Sequence, residues 1–242
     1  MKKILRPFYL LYQLVIAYPL AGISTMLTGL SMTLFGKYVH VKGGDYYPAV
    51  LWAKFMIRIF LLPMKVVGLE NLEPDKKYIF VANHQGFWDV FMMFGYLGHN
   101  FKWMMKDSLR KMPFVGKGCY DTGHIFVNRE SPQKEIFVKA IRILKSGTSL
   151  GIFAEGTRTD TGRLGEFKKG AFAIADMTQV EVVPLAIEGS FKLLPKKAIF
   201  MNWTPLKITI MKPLAPIGKG KENVEYLMNE SRSAIAKALG EE

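Results

Sequence analysis

Short apolar runs alternate with longer segments of helical periodicity along most of this chain. Seven of the runs read as strands: Lys65–Leu69, Tyr78–Ala82, Phe101–Met105, Ile125–Val127, Leu150–Ala154, Glu181–Glu188 and Lys207–Met211. Between them lie predicted helices near Trp88–Leu97, Pro132–Lys145, Gly170–Met177 and Glu222–Leu239. In the second of these, Ile136, Ala140, Ile143 and Leu144 recur at helical spacing. Alternation of strand and helix predicts an α/β fold, a mostly parallel seven-stranded sheet covered by helices. No internal repeat or low-complexity linker interrupts it.

The N-terminus departs from this pattern. Pro7 to Gly36, a run of 30 positions, holds no charged side chain. One spanning helix needs about 20 apolar residues, but Pro19 and Gly22 interrupt the run midway. Its halves would extend only ~18 Å and ~26 Å, short of a ~30 Å hydrocarbon core. Lys2, Lys3 and Arg6 flank one end, and Lys37 and Lys42 the other, so both ends favour the cytoplasmic side. The expectation is a re-entrant helical hairpin, monotopic on the cytoplasmic face, which is the plasma membrane in a bacterium. Val50–Met64 is apolar apart from Lys54 and Arg58, four apart, and reads as an interfacial helix with snorkelling cations. A secretory signal peptide fits poorly, since the run is too long and no Ala-x-Ala site follows. The chain thus divides into a membrane-binding helical region, 1–64, and a second domain, 65–242.

A formal charge of +13 calls for an anionic partner. Nucleic acid is disfavoured, because the basic residues are scattered and no recognition motif is present. Membrane lipid headgroups fit better, together with a phosphate-rich or acidic carrier. The single cysteine, Cys119, rules out an intramolecular disulfide and suits a reducing compartment. His40, His84, His99 and His124 show no metal-ligand spacing, so no metal is expected.

Candidate chemistry is concentrated in Asn83-His84-Gln85-Gly86-Phe87-Trp88-Asp89 and in Glu155-Gly156-Thr157-Arg158. Histidine takes and returns a proton near neutral pH, and a carboxylate on its other nitrogen fixes the tautomer. Five residues are about 140° on a helix, so one helical face cannot present both groups. His84 is therefore expected in a strand-to-helix turn that Gly86 permits, with Asp89 reaching back from the first helical turn. Arg129 and Arg158 each follow a predicted strand. Residues at the carboxyl ends of neighbouring strands converge on one crevice, where a guanidinium meets a phosphate with a fork of donors. A structural histidine and surface ion pairs are the competing readings. No Gly-x-Ser-x-Gly elbow is present, Ser190 lacks bracketing glycines, and Cys119 has no matched base, so no covalent intermediate on the protein is implied.

These blocks carry a resemblance. Asn83-His84 with Asp89 resembles the first motif of the glycerolipid acyltransferases, and Gly123–Arg129 the second. Phe153–Arg158 resembles the third, and Val183-Pro184-Leu185-Ala186-Ile187 the fourth. Lys106, with Pro113 and Gly116 after it, is similar to a further basic site of that family. The likeness runs from about Gly68 to Lys212. Gly86 stands where the family often has serine, Ala154 where it often has proline, and Thr159 where it often has serine.

The resemblance implies an O-acyltransferase of phospholipid biosynthesis. His84, oriented by Asp89, would activate the sn-2 hydroxyl of 1-acyl-sn-glycerol-3-phosphate against acyl-CoA or acyl carrier protein, giving phosphatidic acid. Acyl-CoA or the carrier protein is then a co-substrate, and no cofactor is implied. Lys106, Arg129 and Arg158 would hold the acceptor phosphate, with Glu155, Gly156 and Thr157 also binding substrate. Val183 and Pro184 would shape an acyl pocket. Glu155 has three open roles: orienting Arg158, meeting the acceptor's hydroxyl, or capping Thr157. Backbone N–H groups near Gly86 or Gly156 are expected at the oxyanion. The same chemistry on glycerol-3-phosphate, another lysophospholipid or an acylated amino acid stays open, as does a non-catalytic membrane-surface protein. Oligomeric state is unreadable.

Overall fold

The computed structural model describes residues 5–38, 45–128, 133–195 and 198–241. All seven predicted strands form there and make one sheet: β1 (Met64–Val67), β2 (Ile79–Ala82), β3 (Phe101–Lys106), β4 (Ile125–Val127), β5 (Ser149–Phe153), β6 (Val182–Glu188) and β7 (Leu206–Ile210). Their order is β1-β7-β6-β2-β5-β3-β4. Only the β6–β7 pair is antiparallel; β1–β7, β6–β2, β2–β5, β5–β3 and β3–β4 are parallel.

β2 is central, and its four residues are all buried. A strand covered on both faces needs apolar side chains on both, and the alternation divides them between two cores. Phe80 and Ala82 join Val183, Leu185, Ile187 and Trp103 on one side. Ile79 and Val81 join Leu150, Ile152 and Val182 on the other. The second core is closed by helices Gln133–Lys145, Gly170–Thr178 and Lys221–Leu239, close to the predicted spans. The first is closed by helix Asp89–Tyr96, helix Tyr47–Ile59 and the N-terminal segment. Packing therefore runs across the expected division at residue 64: Ala17, Ala21, Met32, Ala49 and Ala53 share one core with Phe80 and Leu185.

The expected reversal at Pro19 does not occur. Arg6–Lys37 is one helix of 32 residues. Proline lacks the N–H that would bond residue i−4, and its ring crowds that residue's carbonyl. Here Gln13–Ala17 is wound as a π turn, with the Tyr18 N–H bonded to the Gln13 carbonyl. This widening absorbs the strain just ahead of the ring, and the helix continues. The chain turns back only after Lys37. Tyr9 Oη donates to the Phe60 carbonyl, Tyr12 Oη to that of Ile59, and Trp52 Nε1 to Thr25 Oγ1. The helical hairpin thus exists, but helix Tyr47–Ile59 is its second arm.

The long helix stays against the body from end to end. Gln13 is buried and exchanges two 2.9 Å hydrogen bonds with the Met201 backbone. Farther along, a Cβ on Gly29 would lie 2.7 Å from Phe114, and one on Gly36 would lie 2.6 Å from the Asp121 carbonyl oxygen. The outward face carries Phe8, Leu11, Val15, Ile23, Leu27 and Leu30, all exposed.

Candidate active site

β2 delivers the first motif to the carboxyl end of the sheet. Asn83, buried, extends the sheet with its side chain: Nδ2 donates to the Ile187 carbonyl at 3.0 Å, and Oδ1 accepts the Ile187 N–H at 2.8 Å. The chain then turns, and Asp89 opens helix Asp89–Tyr96. His84 Nδ1 lies 2.8 Å from Asp89 Oδ2. The same oxygen accepts the Gln85 N–H at 2.7 Å and the Gly86 N–H at 2.8 Å. Asp89 is wholly buried, a costly place for a carboxylate unless donors surround it, and three donors meet here. An ionised carboxylate only accepts, so Nδ1 carries the proton and Nε2 is the nitrogen left to take one. This is the geometry expected of His84 and Asp89.

The neighbouring strand supplies the support. The His84 ring stacks on Phe153 of β5, centroids 3.8 Å apart and planes 6° from parallel, and Trp103 of β3 stacks behind it at 4.9 Å. Glu155 braces the backbone on both sides of the site. Its Oε1 accepts the His84 N–H at 2.8 Å, and its Oε2 accepts the Gly165 N–H at 3.1 Å. The residue is buried, and burial raises its carboxyl pKa above the usual value although the two N–H groups oppose this. Glu155 thereby fixes the His84 backbone to the loop after β5, and the Thr159 N–H closes the junction on the His84 carbonyl at 2.8 Å.

Gly86 has a partner that sequence reading missed. A Cβ there would lie 2.4 Å from Ser190 Oγ and 3.1 Å from the Ser190 carbonyl oxygen. Ser190 is fully buried, and its hydroxyl has no hydrogen-bond partner among the described residues. The serine hydroxyl fills the room that a side chain at position 86 would take. Nothing in the local sequence announces this, because Ser190 follows β6 and reaches Gly86 only through the β2–β6 register.

Two of the expected cations stand at the same end of the sheet. Lys106 closes β3 and Arg158 lies two residues beyond Gly156, and both are exposed. Gly156 occupies the left-handed region (φ 69°), which permits the turn after Glu155. Thr157 is exposed beside it. Arg129 lies outside the described residues. Val183 and Pro184 sit inside β6, both buried in the sheet. The Gly86 N–H is bonded to Asp89 and the Gly156 N–H to the Phe153 carbonyl. Burial raises the Cys119 thiol to about 12, so it is no nucleophile near neutral pH.

A family model described as Acyltransferase matches residues 63–188. The chain is 34% identical over 198 residues to a chloroplastic 1-acyl-sn-glycerol-3-phosphate acyltransferase of Arabidopsis thaliana, covering 80% of this chain and 54% of that one. It is 31% identical over 188 residues to the 1-acyl-sn-glycerol-3-phosphate acyltransferase of Borreliella burgdorferi, covering 76% of this chain and 75% of that one. The crystal structure of the 1-acyl-sn-glycerophosphate acyltransferase PlsC from Thermotoga maritima superposes with a TM-score of 0.78 at 25% identity, covering 100% and 98% of the two chains. Among the plant and algal relatives the matched region spans 54% to 61% of the relative's length.

Proposed function

The chain belongs to the acyltransferase family, and from that premise we propose that it acylates the sn-2 hydroxyl of 1-acyl-sn-glycerol-3-phosphate, giving phosphatidic acid. The donor is a fatty acyl thioester, acyl-CoA or acyl carrier protein. The observation that carries this reading is the His84–Asp89 pair, set at the sheet's carboxyl end where Lys106 and Arg158 are also exposed. The relatives, named as 1-acyl-sn-glycerol-3-phosphate acyltransferases, support the same acceptor.

His84 Nε2 removes the acceptor's hydroxyl proton as that oxygen attacks the thioester carbonyl carbon. The C–O bond forms, and the carbonyl electrons move to oxygen. Collapse of this intermediate breaks the C–S bond, and the imidazolium returns the proton to the leaving thiolate. Asp89 stabilises the imidazolium between the two transfers, and the Phe153 stack keeps the ring in plane. Direct attack is favoured over an acyl-enzyme because Cys119 is protonated and Ser190 is buried.

Lys106 and Arg158 are assigned to the acceptor phosphate, with Arg129 as a third cation from the sequence. Arg158→Ala loses a charge-assisted contact of ~1.5–3 kcal/mol, so the KM for lysophosphatidate should rise roughly 10- to 100-fold. Monoacylglycerol, which has no phosphate, should be a poor acceptor for both proteins. Equal use of the two acceptors by the unaltered enzyme would remove the phosphate clamp.

The protein is held on a membrane from one side. A helix that touches the body near both Tyr9 and Gly36 lies along the domain, which supports a monotopic arrangement over a span. Its outward apolar face meets lipid, and the cytoplasmic face is the side favoured by the basic flanks.

A further inference from the structure

Between helix Ser190–Leu193 and β7 the chain displays Ile199, Phe200 and Trp203, exposed by 75%, 39% and 37%. Exposed apolar side chains on a loose loop would mean little, but this segment is firmly held. Met201, between them, points inward and is buried in the first core. Its backbone is bonded twice to the buried Gln13 of the N-terminal helix. Tyr18 Oη of that helix bonds the Ile199 carbonyl, and its ring lies 6.3 Å from that of Phe200. Asn202 N–H donates to the Leu193 carbonyl at 2.8 Å. Trp203 Nε1 donates to the Leu61 carbonyl at 2.8 Å, and the Leu61 side chain is itself exposed. Hydrogen bonds, the Gln13–Met201 pair buried among them, therefore hold three large apolar groups out toward solvent, beside the helix whose outer face is also apolar.

We propose that Ile199, Phe200 and Trp203 form a second membrane contact, inserting at the headgroup–acyl boundary of an anionic bilayer beside the N-terminal helix. This rests on the monotopic reading above. Continuity selects lipid as the occupant, since the segment joins the long helix through Tyr18 and the end of helix Tyr47–Ile59 through Leu61, without an intervening charged group among these contacts. Charge selects an anionic surface. Lys192, Lys196 and Lys197 lead into the segment, with no acidic residue between Gly189 and Trp203, and juxtamembrane cations are drawn to anionic headgroups. A tryptophan whose N–H is already bonded inside the protein presents its ring edge at low desolvation cost, as suits an interfacial anchor. Two contacts at separate places on the surface fix the orientation of the domain, which a single amphipathic helix does not.

The test places an environment-sensitive fluorophore on the full chain at Ile199→Cys, the native Cys119 being buried. A second protein carries it at Met177→Cys, an exposed position on the helix that covers the sheet's other face. Vesicles of phosphatidylcholine with a minority of phosphatidylglycerol are used, with and without brominated acyl chains. The label at 199 should shift to the blue and be quenched by the brominated lipid, while the label at 177 should not respond. Ile199→Glu with Phe200→Glu should lower vesicle partitioning roughly tenfold or more, given the apolar area withdrawn. The same pair should leave turnover of detergent-dispersed lysophosphatidate within about twofold of the unaltered protein. Vesicle-bound protein with no quenching at 199, or with equal quenching at 177, overturns the second contact alone. A full chain that fails to bind vesicles overturns the membrane reading as well.

Discussion

Asp89 Oδ2 receives His84, Gln85 and Gly86 together, so the shape of this turn and the aim of the imidazole are one property. Gly86→Ser should lower kcat roughly 10- to 100-fold with little change in KM, because the new Cβ drives Ser190 and the turn apart. Adding Ser190→Gly frees that room and should restore kcat to within about threefold in a double-mutant cycle. Additive losses in the double variant would show that the two positions do not share a space. Away from the site, His124 is buried and accepts the Trp103 N–H at 2.8 Å. Burial, with the Lys102 charge adding to it, lowers its pKa from 6.5 to about 3. The unfolded chain therefore binds this proton first, so the stability His124 confers is complete above pH 6.5 and is lost progressively as pH falls toward 3. His124→Asn, which keeps an acceptor for the Trp103 N–H, should flatten the fall of Tm between about pH 6.5 and pH 4. Parallel curves for the two proteins would contradict the assignment. His84 and Asp89 were legible from their identity and spacing, since one short turn joins them. The contacts of Glu155, Phe153 and Ser190 were not, because strand register sets them and no local pattern encodes register.

The seven strands could be read because each is a short apolar run set off by turns, a signal local to the strand. The N-terminal helix could not be read in the same way. Pro19 breaks a regular α-helix, and only the π turn before it lets the coil continue. Helix Val115–Asp121 went unread for a related reason: Gly116 and Gly118 are poor helix formers in isolation. In the fold they allow close approach, Gly118 to Gly29 of the long helix and Gly116 to the Arg110 carbonyl. Gly29→Val should accordingly overpack this contact, costing ~1–3 kcal/mol and lowering Tm by roughly 3–10 °C in detergent. An unchanged Tm would mean that the helix is loosely attached. Removing residues 1–37 should yield protein that aggregates rather than a soluble enzyme, because Ala17, Ala21 and Met32 belong to the first core. A monomeric, active truncate by size-exclusion chromatography would separate anchor from fold.

Taken whole, the molecule puts a buried carboxylate, a half-buried histidine and exposed cations at one end of a sheet, and carries an exposed apolar face along its N-terminal helix. The charge of +13 suits the molecule to an anionic partner. The central claim is that His84 acts as the base for direct transfer to a lipid phosphate acceptor. It is tested most directly by supplying purified full-length protein with lysophosphatidate and acyl-CoA or acyl carrier protein, and following free thiol and phosphatidate together. The expected result is equal release of the two with no burst of thiol, and a rate at least ~10²-fold lower for a His84→Ala protein that remains folded. Thiol released without phosphatidate, or a His84→Ala enzyme keeping more than about a tenth of the rate, would contradict it.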